Sequence, residues 1–164
     1  MPKLVAAGVT LRAQLDERFP KRDKKSDGWI ADSAHASRRS DHNPDRRGWV
    51  HALDVDEDFG APGDAELFAN QLIAYVREGL DHGRILHVVY ENRVASGTFK
   101  RTFWTWRTDT RLGHTSHIHI SFTAKAEEDG RPFLLPIFGP GPMTLPPAKK
   151  APAKRPAKKK VTPP

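Results

Sequence analysis

"HIHISF", residues 117–122, alternates without a break: His117, His119 and Ser121 fall on one side, Ile118, Ile120 and Phe122 on the other. A strict period of two marks a strand with one face in a core and the other in a cleft. The apolar face can anchor the strand while both imidazoles project into the same space, about 6–7 Å apart along it.

Working outward from this strand, "WVHALDVD" (49–56) reads as another. Val50, Ala52, Asp54 and Asp56 share one face; Trp49, His51, Leu53 and Val55 share the other. Before it, "HNPD" (42–45) reads as a turn, with Asn43 suited to its first position and Pro44 to its second. The turn folds the chain back near His42. "ILHVVYE" (85–91) and "TFKRTFWTW" (98–106) are further strand candidates. Leu11, Leu15 and Phe19 recur every four residues, one stripe of a helix that Pro20 ends. "GDAELFANQLIAYVREGLDHG" (63–83) is the clearest helix. Asp64 is its expected cap, Leu67, Phe68, Leu72, Ile73, Val76 and Leu80 its apolar stripe, and Gly83 its end. Residues 29–42 read as loop with a short helical turn. Few helices and mostly antiparallel strands predict an α+β domain: a small sheet with flanking helices and the site on the sheet.

The 164 residues suit one domain. Residues 139–164, rich in Pro, Ala and Lys, cannot bury enough apolar area to offset their ordering entropy and are expected to be a disordered basic tail. The folded domain is then 1–138. The net charge of +7 belongs to that tail: seven Lys/Arg and no acid lie in 148–164, while residues 1–147 hold 20 basic and 20 acidic side chains. A neutral body argues against a phosphate-tracking groove; a basic tail suits a tether to an anionic wall polymer or a nucleic acid. No apolar run of about 18 residues spans a membrane, and the start lacks the long apolar stretch of a secretory signal. Synthesis in the cytoplasm and a monomeric state are expected.

With no cysteine, a metal must be held by His, Asp or Glu. A catalytic zinc ion takes three protein ligands and keeps a fourth position open. A histidine beside a turn, an aspartate on the following strand and a histidine on a distant strand can meet at one point. Either motif alone is weak, since His-x-His strands and Asp/Asn/Pro turns are common. His51 and His114 are expected to be structural or exposed, and Trp104 and Trp106 to be core.

Taken together, Ser40-x-His42, Ala52-x-Asp54 and His117-x-His119 resemble the pattern of the zinc D-alanyl-D-alanine carboxypeptidase and L-alanyl-D-glutamate endopeptidase family. The string "SDHNP…HALDVD…HTSHIHISF" is similar to its actinobacterial and actinophage, endolysin-like branch, over roughly residues 28–122. The resemblance implies one zinc ion held by His42, Asp54 and His119, with His117 beside the reacting centre and Ser40 supporting the site. It implies a hydrolase acting on the stem peptide of peptidoglycan, as a cell-wall peptidase or as a bacteriophage endolysin released by a holin. The sequence departs from the family in a longer gap between His42 and Asp54, in Val50 where a glycine is usual, and in Ser116 where some branches carry a glutamate base. The base is then His117 or another carboxylate, Asp56 being one. Tyr90 and Arg93 end a strand, from which Arg93 could hold a substrate carboxylate. Two other readings compete: a metal-dependent nuclease of the His-Asn-His type, from "DHNP" (41–44), and a non-catalytic wall-binding or virion protein.

Overall fold

Every apolar residue of the 117–122 alternation enters the core: Ile118 and Ile120 are fully buried and Phe122 nearly so. The computed structural model describes residues 1–31 and 39–139. The expected tail beyond Gly139 and most of the expected helical turn in 29–42 lie outside the described residues.

The elements are β1 (Lys3–Leu4), α1 (Ala6–Arg18), β2 (Trp49–Val50), β3 (Ala52–Asp56), α2 (Asp64–Arg77), β4 (Ile85–Tyr90), β5 (Arg93–Ser96), β6 (Arg107–Thr108) and β7 (His117–Phe122). β1 and β2 form a small parallel pair; the other five strands form one antiparallel sheet in the order β3-β7-β4-β5-β6. The fold is α+β, as expected. One face of the sheet packs on α1 and α2, where Leu11, Leu15, Phe68 and Leu72 are fully buried beside Val88, Ala95, Ile118 and Ile120. The other face carries the polar members of the alternation. No helix among the described residues is long and apolar enough to cross a membrane.

Several local expectations need correction. "WVHALDVD" is two strands, because the chain changes partners at His51. Val50 pairs with β1, whereas the His51 N–H donates to the Asp41 carbonyl and its own carbonyl accepts from Phe122 N–H. "HNPD" is not one turn but the space between two. Ser40 Oγ accepts the His42 N–H in the first, and Asp45 Oδ1 accepts from the backbone of Arg47 and Trp49 in the second. Helix α2 begins after Gly63, in the left-handed region at φ 87°, with Asp64 already inside it and no side-chain cap. It ends at Arg77: Gly79 turns left-handed at φ 76°, Leu80 N–H returns to the Tyr75 carbonyl and Gly79 N–H to the Val76 carbonyl. This double closure satisfies the last carbonyls well before Gly83. Leu67, placed in the stripe by periodicity, is 47 % exposed.

Finally, 98–106 is no strand. Its place is taken by β5 and β6, with a short 3-10 turn at Lys100–Thr102 between them. Trp104, at φ 48°, bends the chain so that its indole is buried against Gly97, where a Cβ would stand 2.8 Å from the indole nitrogen. Burying one large ring outweighs the strand preference of its neighbours.

Candidate metal centre

Strand register builds the site. Asp54 on β3 stands directly opposite His119 on β7, and paired residues of antiparallel strands point to the same face. The His119 Nδ1 lies 2.8 Å from Asp54 Oδ1. His42, on the turn that Ser40 fastens, brings its Nε2 to 3.2 Å from Asp54 Oδ2 and 3.2 Å from His119 Nδ1. The three potential ligand atoms lie within 4.8 Å of one another, so His42, Asp54 and His119 form a group that can hold a metal ion.

The hydrogen bonds behind these residues favour a cation. The single hydroxyl hydrogen of Ser121 goes to Asp41 Oδ2 at 2.7 Å. Its oxygen, 2.9 Å from His119 Nε2, must therefore accept, which fixes the ring proton on Nε2. Nδ1 then faces a carboxylate oxygen, and only a positive charge between the two, the ring's second proton or a metal ion in its place, makes that pairing favourable. A ligand histidine whose outer N–H is held in this way is the usual support of a metal site. The expected result for Ser121→Ala is metal affinity reduced by about 10–100-fold with the fold intact, read by competition with a chromogenic chelator; unchanged affinity would mean the Asp41–Ser121–His119 chain does not orient the ligand.

Electrostatics follow the same geometry. Burial alone would raise Asp54, but its hydrogen bonds to His119 and His42 outweigh it and hold the carboxylate far below its ordinary range. Burial alone would lower His42, but the Asp54 hydrogen bond and charge overcome it, and the imidazole sits above its ordinary 6.5. A proton on His42 competes with a metal for Nε2. As pH falls through that raised value the proton wins; as it rises, the lone pair is freed. Metal retention measured by dialysis is accordingly expected to be complete well above that raised value and to fall as pH drops through it. Retention independent of pH would contradict His42 as a ligand.

The pocket around the group, ≈ 910 Å³, is lined also by Ser40, Asp41, His87, Val89, Leu112, His114 and His117. His117 Nε2 lies 3.8 Å from Asp54 Oδ1, and Ser116 Oγ stands 3.2 Å from its Nδ1. Two further histidines belong to this pocket. His87, in register with Ser121, stacks on His119 with ring centres 5.6 Å apart; burial and then the His119 charge push it down to about 4. His114, at φ 57°, directs its ring to within 4.9 Å of His117 and 5.2 Å of His119, with Nδ1 held at the Leu112 carbonyl. Burial, then His119, lowers it too. His114 was expected to be structural or exposed, and His87 carried no expectation; the signal for His87 was its place in an apolar strand facing His119.

Other expected site residues lie elsewhere. On β4 and β5 the alternation that turns Val89 and Val94 to the cleft turns Tyr90 and Arg93 to the helix side. There Tyr90 Oη donates to Glu57, 3.1 Å away, and Arg93 pairs with Glu66 on α2 at 2.6 Å. Neither lines the metal pocket. Asp56 shares the parity of Asp54, but its carboxylate accepts the backbone N–H of Ser26 and of Asp58 and is nearly buried. It supports the 22–28 loop and is not a base in the pocket. His51 stands 3.2 Å from Glu127. With Asp45 these form a second group that could hold a metal, but Arg47 already pairs with both Glu127 and Asp45. Comparison of the chain with known protein families, curated proteins and solved structures finds no match.

Proposed function

We propose that the protein is a zinc-dependent hydrolase that cuts a peptide bond in the stem peptide of peptidoglycan, a cell-wall peptidase of the endolysin kind. The observation that carries this reading is the convergence of His42, Asp54 and His119 in an open pocket, with a third histidine, His117, beside them. Two imidazoles and one carboxylate, without thiolate, suit zinc among the common divalent ions and leave a position for solvent or substrate. A zinc ion held there would supply Lewis acidity and make solvent a nucleophile at neutral pH.

The chain's own part is positioning and proton movement. Ser116 Oγ faces His117 Nδ1, leaving Nε2 for the reacting groups. From there an imidazolium would stabilise the developing oxyanion and then give its proton to the departing amine. Val89 and Leu112, with Ile30 and Ala31, form the apolar part of the wall and would keep the peptide segment partly dry. The basic tail would add a non-specific hold on anionic wall polymer.

The test is mass spectrometry of muropeptides after digestion of purified sacculi by the full chain. New fragments from one peptide bond are expected, absent with chelator and restored by zinc. Cleavage indifferent to chelation, or no cleavage by zinc-loaded protein, would refute the proposal.

A further inference from the structure

The cleft face of the sheet does not end at the metal pocket. Register carries one row of side chains across all five strands: Asp54, His119, Val89, Val94 and Arg107. Adjacent strands lie about 4.8 Å apart, so Arg107 stands about 14 Å from His119 on the same face. That is the reach of about four residues of extended peptide.

The far end of this row is built in an unusual way. Arg107 sets its guanidinium 4.4 Å from the centre of the Phe99 ring. Its Nε is shielded from solvent and, among the described residues, has no hydrogen-bond partner. A nitrogen closed to solvent is closed to a ligand as well, so an acceptor must meet the terminal guanidinium nitrogens, which are not shielded in this way. The loop that brings Phe99 there is firmly held: Trp104 plugs it, Ser96 Oγ accepts from Thr98 N–H, and Trp104 N–H donates to the Ser96 carbonyl. Yet this held loop leaves Phe99 45 % and Phe103 49 % exposed. Lys100 and Arg101 lie between them in sequence, and among the described residues none of these three cations forms a direct ion pair; the charge of Arg107 reaches Asp109, which Arg111 already holds at 2.8 Å. Elsewhere in the domain arginines such as Arg22, Arg47, Arg93 and Arg131 are matched by carboxylates.

We propose that Arg107, with Phe99 and Phe103, forms a distal subsite for a carboxylate on the peptide arm of the substrate, about four residues from the reacting bond. The arm lies extended over Val89 and Val94, its carboxylate meets the Arg107 guanidinium, and its apolar side chains rest on the two phenylalanine rings. Charge complementarity selects this occupant: Lys100, Arg101 and Arg107, with Asp109 already held by Arg111, suit an acidic peptide and give an uncharged chain no electrostatic advantage. The inference rests on the proposed peptide substrate and names what that substrate must carry.

The test separates binding from cleavage. Metal-stripped full-length protein is titrated with a five-residue stem peptide as its C-terminal acid and as its C-terminal amide, with tryptophan fluorescence as the readout. The acid is expected to bind about tenfold tighter or more, with the gap abolished in Arg107→Gln and kept in His119→Ala. Equal binding of acid and amide by the wild-type protein, which needs no variant to fold, would overturn the subsite. So would a gap that survives Arg107→Gln, or Arg107-dependent displacement of the peptide by an uncharged chitin tetrasaccharide. Because no bond is cut in this assay, failure of the hydrolase proposal would leave the preference for the acid standing, and its absence would leave hydrolysis untouched.

Discussion

His119→Ala is expected to abolish both zinc binding and activity, whereas His117→Ala retains zinc and loses turnover by about 10²–10⁴-fold. The difference follows from position. His119 touches both other ligands, at 2.8 Å from Asp54 and 3.2 Å from His42, and is a ligand whose outer nitrogen is fixed through Ser121. Removing it leaves two ligands, too few for a closed zinc site. His117 approaches Asp54 only at 3.8 Å and faces the open pocket, where a reacting group rather than an ion would meet it. Zinc content by atomic absorption, measured beside peptide hydrolysis, checks the pair. Equal zinc loss in both variants would show that His117 is itself a ligand and would remove it from proton transfer.

The second large effect concerns the fold. Phe68→Ala is expected to cost about 3–5 kcal/mol, lowering the melting midpoint on the order of 10 °C. Its ring is fully buried and lies 5.7 Å from Phe59 and 6.2 Å from Phe138, so truncation leaves a void that three elements share. Leu67→Ala, one residue earlier, is expected to change stability by less than about 0.5 kcal/mol, because that side chain is 47 % exposed. Similar losses from the two, followed by calorimetry, would mean that α2 is rotated relative to the sheet.

The contrast between Leu67 and Phe68 shows where periodicity reads well and where it fails. A stripe drawn at helical spacing has an edge, and a residue on that edge is assigned by neighbours that only the tertiary packing supplies. The strand at 117–122 had no such ambiguity, since period two leaves a residue on one face or the other. The same rule, applied to "ILHVVY", puts Tyr90 opposite to His87 and Val89. Which side was cleft depended on β4 lying beside β7, a pairing between segments nearly thirty residues apart that no local pattern specifies. His87 was missed for that reason, and Tyr90 and Arg93 were credited with the wrong face. Asp41 was overlooked because a loop aspartate next to a ligand looks like turn chemistry until Ser121 is seen to donate to it. At 98–106, aromatic and β-branched residues gave a genuine strand signal. It lost to the burial of Trp104 against a glycine that admits no Cβ.

Asp54 and His119 are already neighbours through the ladder of β3 and β7, whereas His42 reaches them from a turn. A bound ion therefore adds little to the joint between the two strands and much to the anchorage of that turn. Occupancy and the order of the cleft rim become one equilibrium, so whatever strengthens the grip of the turn on its own, Ser40 included, raises the ion's apparent affinity without touching the ion.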